Sequence, residues 1–111
     1  MPKIIPNYME LKAADMGASK AFYEKAFGFS FTDYGPEYAG VEGGPVQIGL
    51  AAGNEPLAPL PTFETNDLAA ALAQVKAAGG TIVKEVFPYP GGHRFECLDP
   101  AGNRLAIYQT D

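Results

Sequence analysis

Hydrophobic and polar residues alternate along short stretches of this chain, and twice the alternation gives way to a helical spacing. Ile4–Lys12 reads as a strand, with Ile5, Asn7, Met9 and Leu11 on one side and Pro6, Tyr8, Glu10 and Lys12 on the other. Asp15 stands where an N-cap belongs, ahead of a helix over Met16–Phe27 on which Ala18, Ala21, Phe22, Lys25 and Ala26 share a face. Gly28 closes that helix as a left-handed cap. Phe29–Tyr34, Tyr38–Glu42 and Val46–Ala51 follow as antiparallel strands, punctuated by Gly35-Pro36 and Gly43-Gly44-Pro45. Asn54–Pro61, rich in proline and small or polar residues, reads as a linker. Beyond it come a strand, Leu60–Thr65, and a helix, Leu68–Ala78, capped by Asp67, with Leu68, Leu72 and Val75 as its apolar stripe. Gly79-Gly80 ends this helix, and Thr81–Val86, Arg94–Leu98 and Arg104–Gln109 are the last strands. Asp99-Pro-Ala-Gly-Asn103 has proline and glycine where a tight hairpin turn needs them.

The order is βαβββ twice. Asp15 and Asp67 open the two helices at an offset of 52 residues, and the same offset carries Gly28 onto Gly80 and Tyr8 onto Leu60. The expected fold is therefore α+β: one domain of two βαβββ modules, about 1–53 and 59–111, in a pseudo-symmetric mixed sheet with a site between the halves. Along the central strands Met9, Leu11, Ile48, Leu50, Phe63, Leu105 and Ile107 fall on one side, which should face the helices. The other side carries Tyr8, Glu10, Lys12, Gln47, Gly49, Ala51, Leu60, Thr62, Glu64, Arg104, Ala106 and Tyr108. A face this polar either meets water or lines a cavity. Small residues leave volume there, and the tyrosines and charged groups offer a few fixed contacts.

Composition narrows the function. The 111 residues carry a formal charge of −5, with no basic stripe to displace counterions from phosphates, so nucleic acid is not an expected partner. The acidity favours a cationic or neutral ligand. No run approaches the about 20 apolar residues of a membrane span, and the start, Met-Pro-Lys-Ile-Ile-Pro, has no secretory apolar run. A cytoplasmic protein without membrane contact is expected. The single cysteine, Cys97, excludes an internal disulfide framework and reads as a buried free thiol.

Most candidate chemistry reduces to structure. The glycine pairs at 43–44, 79–80 and 91–92 are turns and caps, since no Gly-Lys-Ser/Thr follows. Ser19 lies on a helix, not on a nucleophile elbow. His93, the only histidine, reads as an exposed loop residue rather than a ligand beside Glu10 and Glu64. Arg94 and Glu96 are expected on the polar side, leaving Phe95 and Cys97 in the core, while Tyr34 and Tyr38 border the cavity mouth.

The runs Tyr8-Met-Glu-Leu-Lys-Ala-Ala-Asp15, Ala21-Phe-Tyr-Glu-Lys-Ala-Phe-Gly28 and Gly92-His-Arg-Phe-Glu-Cys-Leu-Asp-Pro-Ala-Gly-Asn103 resemble the vicinal-oxygen-chelate superfamily of glyoxalase I, bleomycin resistance proteins and extradiol dioxygenases. The resemblance spans essentially the whole chain. It implies a cupped sheet with the helices outside, usually in a homodimer. Metal-dependent members place His or Gln on the first strand, Glu on the fourth, His or Gln on the fifth and Glu on the eighth. The matching positions here are Tyr8, Gly49, Leu60 and Ala106. Hard divalent cations need several oxygen or nitrogen ligands at short range. No metal and no other cofactor is therefore expected, and lactoylglutathione lyase and dioxygenase activities are disfavoured.

The expected function is binding, as in drug or metabolite sequestration, of a small cationic or aromatic molecule. Tyr8, Glu10, Lys12, Gln47, Gly49, Leu60, Thr62, Glu64, Arg104, Ala106 and Tyr108 would line the cleft. The first alternative is a lyase or isomerase of the same superfamily with Glu10 as its base. The second is a dimeric interaction domain without a ligand.

Overall fold

The computed structural model describes residues 2–42, 44–53 and 58–111. The elements run β1 (Ile4–Ala13), α1 (Met16–Phe27), β2 (Thr32–Asp33), β3 (Tyr38–Val41), β4 (Gln47–Ala52), β5 (Leu60–Thr65), α2 (Leu68–Ala77), β6 (Thr81–Tyr89), β7 (Gly92–Leu98) and β8 (Arg104–Thr110). The chain divides into two compact units: the first is Tyr8–Pro59, the second Met1–Asn7 with Leu60–Asp111. In the first unit the strands lie in the order β2-β3-β4-β1, and in the second β6-β7-β8-β5. Each time the first strand of the module pairs parallel with the fourth, β1 with β4 and β5 with β8, and the remaining pairs are antiparallel. The repeat read from the sequence is thus a repeat of topology, α+β with mixed pairing. Among the described residues no helix is long and apolar enough to cross a membrane.

Both helices start by the same device. Asp15 and Asp67 are extended, and their carboxylates accept from the backbone N–H of Ala18 and Ala70 at 3.0 and 3.1 Å. Each satisfies an amide that the first helical turn leaves without a partner. The ends differ. Gly28 caps α1 with φ +73°, but in α2 the left-handed residue is Gly79, φ +95°, one place short of the constant offset. Gly80 N–H then donates to Val75 O at 2.9 Å and Gly79 N–H to Lys76 O at 3.2 Å, which is a Schellman closure. That closure is why α2 stops at Ala77 rather than at Ala78.

The second unit has a conventional core. Leu68 and Ala71 of α2 pack on Phe95, Cys97 and Ile107, with Phe63, Leu72, Val75 and Leu105 around them. The stripe expected on α2 and the apolar side expected for β5 and β8 are both seen. In the first unit Ala13, Ala39 and Leu50 are buried, but α1 buries no residue. Of the expected α1 face only Ala21 is half-buried: Phe22 is 56% exposed, Ala18, Lys25 and Ala26 are exposed, and the other half-buried positions are Met16, Ser19, Lys20 and Tyr23. Phe22, Tyr23, Phe27, Phe29 and Phe31 pack on one another instead, with ring centroids 5.2–6.4 Å apart.

Other corrections follow from pairing. The strand expected over Phe29–Tyr34 shrinks to Thr32–Asp33, because Phe29 and Phe31 are drawn into the aromatic cluster. Strands β6 and β7 extend to Tyr89 and back to Gly92, so His93 lies on a strand rather than in a loop. It is half-exposed, with Nδ1 3.4 Å from Asp111. Ile5 and Met9, placed by alternation toward the helices, are 46% and 38% exposed. Ile4 packs on the core cluster in their stead. The Asp99–Asn103 turn forms as expected: Asp99 Oδ1 accepts from Ala101 N–H and Asn103 N–H, with Gly102 at φ +90°. Gly43 and the first half of the expected linker, residues 54–57, lie outside the described residues, and Leu60 and Pro61 belong to β5.

Candidate functional site

In the first unit the register places Tyr8, Glu10 and Lys12 of β1 beside Gln47, Gly49 and Ala51 of β4, with Tyr38 and Gly40 next to them on β3. Tyr38 is the centre of this face. Its hydroxyl is hydrogen-bonded to the Tyr8 hydroxyl and donates to Glu10 Oε2 at 3.3 Å. Glu10 is 8% exposed. Burial, the hydrogen bond to Tyr8 and the Glu10 charge together push the Tyr38 phenol far above its ordinary range. It stays a neutral donor at any physiological pH.

Gly49 makes this possible. A Cβ there would collide with both tyrosine hydroxyls and lie 2.6 Å from Tyr38 Cζ. The space beside β4 that a side chain would fill is taken by the two phenols. Tyr34 stands further out, 55% exposed, its ring centroid 6.4 Å from that of Tyr38 and its hydroxyl donating to Glu42. The sequence reading put Tyr38 at a rim. Its central place comes from the pairing of Tyr38 with Ala51, which no local pattern encodes.

In the second unit the corresponding face splits into two networks. Asn7 donates to Glu64 Oε1 at 3.0 Å and accepts from the Tyr108 hydroxyl at 3.0 Å. Alternation puts Asn7 on the apolar side, but its amide lies between Glu64 and Tyr108 on the polar one. Beside it, Glu96 is 5% exposed and accepts from Arg94 Nη2 at 2.9 Å and Arg104 Nε at 2.9 Å. Arg104 Nη2 also approaches Glu96 Oε1 at 2.7 Å. Burial alone would raise the Glu96 carboxyl, but the two arginines outweigh it and hold it below the ordinary carboxylate range. Arg104 is thus paired with Glu96, eight residues earlier on the neighbouring strand.

The predicted residues are therefore grouped unevenly. Tyr8, Glu10 and Gly49 come together around Tyr38, and Glu64 and Tyr108 come together through Asn7. Thr62 is 4% exposed, with its hydroxyl turned back onto Leu60 O at 3.0 Å, and Ala106 is fully buried. Leu60 is half-buried at the start of β5; Lys12 and Gln47 flank the Tyr8–Glu10 group by register. Cys97 lies on the opposite, helix side, its thiol pushed up by burial and by Asp99. An apolar cavity of about 240 Å³ opens there, lined by Ile4, Phe63, Val75, Cys97, Leu105 and Ile107, away from the polar face.

The donor set can be tested against a metal directly. Of the four positions where relatives would carry ligands, Gly49, Leu60 and Ala106 offer no donor atom, and the Tyr8 phenol is engaged by Tyr38. Among the described residues no group of three or more His, Cys, Asp or Glu is placed to hold a metal ion. The residues present do not fit the superfamily's metal site.

Comparison with known proteins gives the family. Residues 5–107 match the model of the glyoxalase/bleomycin resistance protein/dioxygenase superfamily. A relative in Mycolicibacterium smegmatis, itself uncharacterised, is 33% identical over 106 residues, covering 88% of this chain and 87% of its own. Among solved structures, methylmalonyl-CoA epimerase from Mycobacterium tuberculosis superposes with a TM-score of 0.79 at 15% identity, over 96% of this chain and 87% of that one. A superfamily member from Vibrio splendidus 12B01 gives a TM-score of 0.69 at 19% identity, over 98% and 99%. The Mn(II)-bound glyoxalase from Novosphingobium aromaticivorans gives 0.73 at 20% identity, over 98% of this chain and 40% of the larger protein. At these identities the structural likenesses speak for the fold alone, and the family match decides membership: the chain belongs to the glyoxalase/bleomycin resistance protein/dioxygenase superfamily.

Proposed function

We propose that the protein binds a small organic molecule on its polar sheet faces without a metal ion, and that its role is sequestration rather than turnover. The observation that carries this reading is the Tyr8–Tyr38 hydroxyl pair packed over Gly49. Where a metalloenzyme of this family would project a ligand, this chain puts two phenols and a buried Glu10. Phenol rings and hydroxyls suit recognition of a flat or hydrogen-bonding ligand. Metal analysis of untagged protein by mass spectrometry, followed by nickel, zinc and manganese titration, tests the first half. No stoichiometric metal and no specific uptake are expected; about one tightly held metal per chain would overturn the reading. A thermal-shift screen of aromatic metabolites and cationic drugs tests the second half. Stabilisation by a subset, abolished in Tyr38→Ala, is expected, and a flat screen would point to an interaction domain instead.

A second reading rests on Glu10 itself. A carboxylate 8% exposed and 3.3 Å from a phenol donor has the placement of a general base for a metal-independent lyase or isomerase. Glu10→Gln separates the two: an enzyme would lose turnover and keep most of its ligand affinity, whereas a binder has no turnover to lose.

A further inference from the structure

We propose that Lys84, Arg94 and Arg104 of the second unit form a receptor for an anionic group, carboxylate or phosphate, of the bound molecule. This rests on the reading that the polar face of that unit is a ligand surface, and it assigns the charge that the ligand presents there. The chain is acidic as a whole, which by itself favours a cationic ligand. The local arrangement points the other way.

Strand β6 is an edge strand, and it is twice out of step with β7. Ile82 pairs with Cys97, Lys84 with Glu96 and Phe87 with Arg94. Two residues of β6 answer a single step on β7, and then three answer two. In a regular strand Lys84 and Phe87, an odd number of places apart, would point to opposite faces. The irregularities bring both beside Glu96 and Arg94. Bulges at sheet edges re-aim side chains and gather next to functional sites. Here the result is that Lys84 Nζ stands 4.3 Å from the Phe87 ring centroid, over which Arg94 Cζ also lies at 5.4 Å.

Two cationic side chains, Arg94 and Arg104, thus grip one buried carboxylate, Glu96, and a third, Lys84, is its register partner on the edge strand. Among the described residues, two other acids of this unit are engaged elsewhere. Glu64 is engaged by the Asn7 amide, and Glu85 lies 3.9 Å from Lys76 of α2. Among the described residues no carboxylate pairs with Lys84. Arg104 keeps its side chain 53% exposed, so the cluster is open to solute while its Glu96 anchor is not. Two guanidinium groups pre-positioned by a buried carboxylate, with an exposed ammonium over the neighbouring Phe87 ring, are suited to carboxylate or phosphate oxygens. The Phe87 ring at the same place favours an anion borne on an apolar or aromatic body.

The chain contains two arginines, so their Nε–Hε signals can be followed by proton–nitrogen NMR during titration with inorganic phosphate, benzoate, phenyl phosphate and benzylamine. The anions are expected to shift both signals saturably, the aromatic ones at lower concentration than phosphate, and benzylamine to leave them in place. Lys84→Gln, on an exposed edge, should weaken benzoate binding about tenfold, the scale of one charge-assisted contact. Arg104→Gln should do the same, with its fold checked by circular dichroism. Benzoate outranking phenyl phosphate would name a carboxylate, and the reverse a phosphate. The proposal is overturned if anions shift the signals only as ionic strength does, if Lys84→Gln binds benzoate as the parent does, or if benzylamine binds better than benzoate. Metal uptake would sink the functional reading above and leave the arginine titration unaffected, so the two fail separately.

Discussion

Helix α2 sets Leu68 and Ala71 against Phe95, Cys97 and Ile107, whereas α1, at the same point of a module with the same strand order, buries no residue and leaves Phe27 59% exposed. The contrast continues on the sheets. The first unit gathers phenols and a carboxylate around Gly49; the second gathers guanidinium groups around Glu96. What the modules share is backbone machinery: an extended aspartate at the helix start, a left-handed glycine at its end and a parallel first–fourth strand pair. Those features fix the path of the chain and constrain few side chains. The repeat therefore preserves a scaffold and leaves each half free in its core and its chemistry.

The core difference gives the largest expected effect. Phe95 is fully buried, and Phe95→Ala should cost about 3–5 kcal/mol in urea unfolding, a large part of the whole stability of such a domain. Phe27→Ala, on the exposed aromatic cluster, should cost about 1 kcal/mol or less. Comparable costs for the two would break the contrast, because they would mean that α1 is covered in solution.

Gly49 and Ala106 offer a sharper comparison, since they take corresponding places on the fourth strands, Gly49 opposite Glu10 and Ala106 opposite Thr62. Gly49→Ala forces a methyl into the two phenols and should cost about 1–3 kcal/mol. Combined with Tyr38→Ala, the same change should cost clearly less, a coupling that a double-mutant cycle reads. Ala106→Gly, which removes a fully buried methyl that meets no such pair, should cost about 1 kcal/mol and show no coupling to Tyr38→Ala. An uncoupled Gly49→Ala would mean that the phenols do not occupy the space beside that glycine.

Much of the scaffold is legible in the chain because its determinants are local. Asp15, Asp67, Gly28 and the Asp99–Asn103 turn each act within a few residues, and the Leu68-Leu72-Val75 stripe has a simple helical period. The α1 face is not legible. Its aromatics satisfy a helical pattern, yet they pack largely on one another and on Phe29 and Phe31. The candidate site is half legible for a related reason. Alternation finds Tyr8, Glu10, Glu64, Arg104 and Tyr108, but it fails at Asn7, and it cannot place Lys84 and Phe87 across irregular steps of β6. Tyr38 is legible as a residue at the border of the polar face, but its central place follows from the β3–β4 register, which no local pattern encodes.

The smallest expected effect separates the two faces by their response to pH. The folded Glu96 carboxyl titrates below its unfolded value, so its contribution to stability is complete above about pH 4.3 and is lost as pH falls through the folded value. The Tyr38 phenol is displaced the other way. Burial, Tyr8 and Glu10 favour its protonated form, so that contribution is complete below about pH 10 and declines as pH rises beyond it. Urea midpoints measured from pH 3 to pH 10.5 should therefore fall at both ends for different reasons. Glu96→Gln should flatten the acid limb and leave the alkaline one, and Tyr38→Phe should do the reverse. If either substitution flattened both limbs, the two faces would titrate as one network, and the independence argued for their chemistry would be lost. Two separate limbs would instead tie the second unit's ion cluster and the first unit's phenol pair to distinct, individually tunable surfaces on a duplicated frame.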